Sequence, residues 1–153
     1  MQTSLIILKP DAIQRGLAGQ ILQRFERKGL RIVGVKLMMV PKELAEKHYA
    51  EHKGKPFYDG LIRFVTSSPV MVLAIRGLEA VTVCRTLIGA TNGRKADPGT
   101  IRGDLGMSGG FNLVHGSDSP ESAERELALW FEKSELVDAP RTIEQWVYDP
   151  SDV

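Results

Sequence analysis

The chain has 153 residues, 42% hydrophobic and 25% charged, with a formal net charge of +1. That suits one soluble domain, 1–153, able to bury about 70% of its unfolded surface without a disulfide or metal, and it argues against a broad nucleic-acid-binding surface. The lone Cys84, the lack of a charged leader before the first apolar run, and the lack of any apolar run near the ~20 residues of a membrane span point to a cytoplasmic protein with no membrane partner.

Taken in chain order, Leu5 to Leu8 is a continuous apolar run, and the proline after Lys9 makes Lys9 the end of a strand. Ala18, Ile21, Leu22 and Phe25 recur at helical spacing, and Gly29 suits the position just past that helix. Val33, Val35, Leu37 and Met39 alternate as a second strand. Pro41 to Glu51 and Phe57 to Val65 read as a helical pair around Gly54. Val70 to Ile75 is a third strand, and Leu78 to Ile88 a helix whose buried side includes Arg85. Thr91 to Gly110 is Gly-rich and charged, without a period. The last strand contains Asn112 and ends near His115. A helix from Pro120 to Phe131 follows, with Ser119 as its N-cap. A short tail begins at about residue 149.

The first and third strands are apolar on both faces and should be central; the second and fourth should be edges. The expected fold is α/β in the α+β sense: a ferredoxin-like βαββαβ sandwich with a four-stranded antiparallel sheet of order 4-1-3-2, covered by helices. A doubly wound parallel sheet is the rival, but the Gly-rich phosphate turn that usually follows its first strand is missing.

The chemistry centres on the run Phe111-Asn112-Leu113-Val114-His115-Gly116-Ser117-Asp118-Ser119. A histidine at a strand-to-helix turn can be a base, a metal ligand or a nucleophile. His48 and His52 stand at i, i+4, but the glutamate of a zincin helix is absent, which disfavours zinc. His115, Ser117 and Asp118 are too close in sequence for a hydrolase triad. Gly89 to Lys95 lacks the spacing of a P-loop, so any phosphate site must be built from side chains. Lys9, Arg85, Thr91, Arg102 and Asn112 are the candidates, since lysine neutralises phosphate as a point charge and arginine orients it through a fixed fork. In the last helix Glu126 lies on the flank of the stripe Ala123, Leu127, Trp130 and Phe131. It is either a carboxylate set against the imidazole of His115 or a surface carboxylate with a partly buried stem. In a regular strand Asn112 and His115 would face opposite ways, so one pocket can hold both only if the strand twists or ends before His115. Gly116 offers one such exit.

These residues resemble those of the nucleoside diphosphate kinase family. The stretch Asn112 to Ser119 is similar to the family's active-site signature, and Lys9-Pro10-Asp11 to its N-terminal lysine motif. Pro56 to Leu61, Thr91-Asn92 and Pro98 to Asp104 match in order and spacing, and the likeness runs from Thr3 to about Tyr148. It implies a transferase of nucleotide metabolism that moves the γ-phosphoryl group of a nucleoside triphosphate such as ATP to a nucleoside diphosphate, ping-pong, through a phosphohistidine on His115. By the same resemblance Glu126 would hold the imidazole, and Lys9, Arg85, Thr91 and Arg102 would bind phosphates bridged by Mg²⁺. Lys9 and Asn112 would reach the sugar, Phe57 would stack on the base with Leu61 lining the slot, and Tyr49 and Ser117 would support the histidine. On pattern alone Phe57 reads first as a core aromatic of an amphipathic helix.

Two positions depart from the family pattern. Gly93 stands where a proline is common, and Phe111 where an arginine often precedes the active-site asparagine. Gln145 to Tyr148 and the tail resemble the longer members, which implies a homo-oligomer, a hexamer in preference to a tetramer. A sheet of this topology can also be an RNA- or protein-binding module, but Leu5 to Leu8 and Val70 to Ile75 carry no aromatics for stacking. A catalytically silent scaffold is a further alternative.

Overall fold

The computed structural model describes residues Met1–Val153. Four strands, β1 (Gln2–Leu8), β2 (Arg31–Met38), β3 (Val70–Gly77) and β4 (Val114–Gly116), form one sheet of order β2-β3-β1-β4. All three pairings are antiparallel, the topology expected from the sequence. The two strands apolar on both faces are central because helices cover both sides of the sheet. On one side α2 (Ala18–Arg27) and α5 (Ala80–Ile88) bury Ile21, Phe25, Cys84 and Ile88 against Ile6, Leu8, Leu73 and Ile75. On the other, α3 (Lys42–His48), α4 (Tyr58–Val65) and α7 (Pro120–Trp130) bury Ala45, Ile62, Val65 and Trp130 against Leu5, Ile7, Val72 and Ala74.

Short α1 (Pro10–Gln14) begins directly after β1, so Lys9 is the residue before a helix rather than the last of a strand. Gly29 takes the positive φ of 97° expected just past α2. The expected helix to Glu51 breaks after His48 into a 3₁₀ turn, Ala50–His52. The segment from Thr91 to Gly110, which has no period in the sequence, contains α6 (Ile101–Leu105), too short for one to show. Ser119 caps α7 as expected, its Oγ accepting from Ser122 N at 3.0 Å.

Gly93 has a packing reason. A Cβ at this buried position would lie 2.3 Å from the carbonyl oxygen of Gly106, and 2.5 Å from its carbonyl carbon. Two backbone segments meet there, so neither proline nor alanine fits without moving one of them. No helix is long and apolar enough to cross a membrane.

Candidate active site

His115 is placed by the sheet. It pairs with Ile7 across β4 and β1, and Ile7 belongs to the α7-side core, so the imidazole points beneath α7. There its Nε2 lies 2.6 Å from Oε2 of buried Glu126. The same oxygen accepts from Ser117 Oγ at 3.2 Å, and Ser117 Oγ accepts in turn from Leu5 N at 3.1 Å. A carboxylate oxygen can only accept, so Nε2 carries the ring proton and the lone pair is on Nδ1. Of the two sequence readings of Glu126, the structure gives the carboxylate on the imidazole.

A second ring completes this corner. His48, at the end of α3, meets His115 edge to face with centroids 4.6 Å apart. Its Nδ1 accepts from Trp130 Nε1 at 3.1 Å, so its own proton sits on Nε2. Burial first, then the nearby His115 and Lys9, push its pKa down to about 2, and it stays neutral. His48, His115 and Glu126 bring ligand atoms within 4.8 Å of one another. Two imidazole nitrogens with one carboxylate oxygen suit Mg²⁺ poorly. The sequence weighed His48 only with His52; His48 instead turns inward to Trp130 and His115, a pairing across three elements that no spacing reveals. Tyr49, beside His48 at 4.7 Å between ring centroids, has its phenol pushed up to about 12 by burial and by the charge of Glu126.

Asn112 lies outside β4, contrary to the sequence expectation. The backbone reverses at Leu113, which has φ 69°. Val114 N donates back to Asn112 O at 2.8 Å, closing a γ-turn of the rare positive-φ kind. As a result Leu113 and Val114, consecutive residues, both bury in the α2/α5-side core, which no regular strand allows. Such a turn costs on the order of 1–3 kcal/mol and persists only where its surroundings over-determine it. Here Asp11 Oδ2 accepts from Leu113 N at 3.0 Å, and Lys9 N donates to Leu113 O at 2.8 Å. The irregularity between Asn112 and His115 therefore precedes His115 and is pinned by the Lys9-Pro10-Asp11 turn. Gly116 is paired within β4.

The cations gather around this turn. Lys9 Nζ donates to Asn112 Oδ1 at 2.6 Å, while Asn112 Nδ2 donates to the carbonyls of Thr91 (3.1 Å) and Gly109 (2.9 Å). Burial, then Arg102, lower the Lys9 ammonium to about 8, with Asp11 opposing. Arg102 is only 4% exposed and donates to the carbonyls of Asn112, Gly89 and Val114. Three of its five N–H groups are thus used and two remain. Burial and Arg85 bring it down to about 10, so it stays charged at neutral pH. Arg85 itself is exposed, which corrects the sequence expectation: the buried stripe of α5 is Ala80, Val81, Cys84 and Ile88, and Arg85 falls one residue off it. It leans instead over the end of β4, its Cδ 3.9 Å from where a Cβ on Gly116 would be. Thr91 is exposed, and its carbonyl accepts from the Asn112 side chain. Phe57, 50% exposed, lines one cleft together with Leu61, Phe64 and Phe111. Phe57 is therefore not a core aromatic.

The site thus offers an unprotonated imidazole nitrogen, fixed from behind by a carboxylate, among three cations that retain unused donors, with an aromatic cleft alongside. A model of the nucleoside diphosphate kinase family matches residues 2–136. The chain is 55% identical to the nucleoside diphosphate kinase of Staphylococcus epidermidis and 56% identical to that of Roseiflexus castenholzii, each over 97% of this chain and 100% of the relative. Among solved structures, a halophilic nucleoside diphosphate kinase from Halobacterium salinarum in complex with CDP superposes with a TM-score of 0.95 at 49% identity, covering 97% of this chain and 99% of that one. Sequence, fold and relatives agree that this chain belongs to the nucleoside diphosphate kinase family, whose reaction is phosphoryl transfer between nucleotides.

Proposed function

We propose that the whole chain, with its tail from about residue 149, is one catalytic domain working by a ping-pong phosphohistidine mechanism. The observation that carries it is the His115–Glu126 pair: the Nε2 side is occupied, and Nδ1 is left as the nucleophile. In the first half-reaction the Nδ1 lone pair forms a bond to the γ-phosphorus while the bond from that phosphorus to the β–γ bridging oxygen breaks. The nucleoside diphosphate leaves with that oxygen. In the second half-reaction a terminal oxygen of another diphosphate takes the phosphoryl group, and the imidazole is restored. Glu126 stabilises the ring cation that develops in each half. Ser117 and Tyr49 support the pair from either side.

Lys9, Arg85, Arg102 and Thr91 hold the phosphates, a fixed set of donors suited to a reaction that is mostly positioning and charge stabilisation. Mg²⁺ arrives on those phosphates as part of the substrate. Asn112 Oδ1, with one acceptor site beyond its bond to Lys9, takes a sugar hydroxyl. Phe57 stacks on the base with Leu61 beneath it; stacking is worth about 1–3 kcal/mol per base and tolerates any base, so many nucleosides are substrates. The chain acts in the cytoplasm, consistent with the buried free thiol of Cys84. It assembles as a homo-oligomer, a hexamer in preference to a tetramer. Val35, Leu37 and Met39 on and just past edge strand β2, all more than half exposed, are the apolar surface that a second copy would cover.

The test is brief incubation with ATP labelled on its γ-phosphate. The protein takes up label that acid releases, and any nucleoside diphosphate discharges it; absence of label overturns the reading. Lys9 adds a pH signature. Its folded pKa of about 8 lies below the usual 10.5, so the unfolded chain holds this proton more tightly. Its burial therefore costs stability below pH 8, and that cost fades as pH rises from about 8 to 10.5. A polyphosphate beside it restores the charge, so nucleotide binding at pH 9 takes up close to one proton. Calorimetry in buffers of different ionisation heat measures this, and binding without uptake would place the phosphates away from Lys9.

A further inference from the structure

Phe111 is 59% exposed, an unusual place for a phenylalanine, yet its ring is not loose. It stacks on half-buried Phe64 of α4, with centroids 4.6 Å apart and planes 23° from parallel. One ring face is used in that stack. Phe111 immediately precedes Asn112, whose side chain is bonded to Lys9, Thr91 and Gly109, so its backbone is fixed at the edge of the nucleotide site. Phe57, Leu61, Phe64 and Phe111 line one cleft between the start of α4 and the loop that leads to Asn112. Gly110, beside Phe111, has open space where a Cβ would be.

We infer that Phe111, braced by Phe64, is a second aromatic wall of the nucleobase slot opposite Phe57, and that it favours the larger ring systems of purines. This rests on the reading that the nucleotide's base lies along Phe57. Solvent-exposed aromatic surface attracts a flat π-system, and the gain grows with the area covered. A purine spans more of the cleft than a pyrimidine does, so it gains more from the second wall. The preference enters through binding of the nucleoside, since the cleft that Phe111 lines includes neither His115 nor Glu126.

The experiment uses the labelled phosphoenzyme of the full chain and its Phe111→Ala variant. The second-order rate of discharge is measured with GDP and with CDP, and inorganic tripolyphosphate is titrated as a competitive inhibitor of that discharge. In the variant the GDP rate falls about five- to tenfold, the loss of one stacking face, and the CDP rate about two- to threefold. The inhibition constant of tripolyphosphate, which has no base, stays the same. An equal fall for GDP and CDP, or a matching weakening of tripolyphosphate, would mean that Phe111 only packs the loop carrying Asn112. Unchanged GDP and CDP rates would also overturn the proposal. Should wild-type protein form no phosphoenzyme, the fault lies in the catalytic reading, and direct calorimetric binding of GDP and CDP to the two proteins then decides the role of Phe111.

Discussion

His115→Asn is expected to take up no label from ATP and to lose nucleotide phosphotransfer by on the order of 10⁴-fold or more, the scale seen when a covalent nucleophile is removed. The fold should survive. His115 is partly exposed, and Glu126 keeps Ser117 as a donor, so the buried carboxylate is not stranded. Glu126→Gln makes the companion measurement. An amide can donate to Nε2, which would move the ring proton to Nδ1 and block the attacking nitrogen. Its label should appear about 10²- to 10⁴-fold more slowly, the span attached to losing an acid–base partner or locking a ring in its wrong tautomer. Label on His115→Asn at the wild-type rate would show that another residue is the nucleophile. An unchanged rate in Glu126→Gln would show that the carboxylate does not set the tautomer.

Where the sequence succeeds and fails in this site follows from the range of each interaction. The sheet order was legible because burial on two faces writes itself as a continuous apolar run, and Leu5 to Leu8 and Val70 to Ile75 are such runs. Glu126 was half legible: helical phase puts it on the flank of a stripe, but only the register of Ile7 against His115 brings the ring to it. Arg85 shows the limit of phase. One residue is 100° around a helix, and the stripe centred on Cys84 and Ile88 leaves Arg85 in solvent. Leu113 shows a deeper limit. A non-glycine residue at φ 69° has no signature in its own sequence, because its strain is held by Asp11 and Lys9, about a hundred positions earlier. The pairing of His48 with Trp130 is non-local in the same way. The family resemblance supplied the roles of several residues, but not this mechanical link between the lysine turn and the histidine strand.

That link gives Arg85 and Arg102, two arginines expected to serve the same phosphates, different consequences when replaced. Arg102→Met keeps the length and most of the apolar stem and removes donors from three carbonyls. Hydrogen bonds from a charged donor are worth about 1.5–3 kcal/mol each, and a buried acceptor left unpaired costs about 1–3 kcal/mol. Asn112 O retains Val114 N as a donor, so the three losses do not simply add. A destabilisation of about 3–5 kcal/mol is expected, which lowers Tm by roughly 8–15 °C for a chain of this size. Activity measured well below that Tm should fall as well, because Asn112 and Val114 flank the turn that aims His115. Arg85→Met makes no such bond and should leave Tm within about 2 °C, while nucleotide affinity still drops by the loss of one phosphate fork. Thermal unfolding followed beside nucleotide binding separates the two. If Arg102→Met unfolds at the wild-type temperature, its three carbonyl bonds do not hold β4, and Arg102, like Arg85, contributes only through the phosphates.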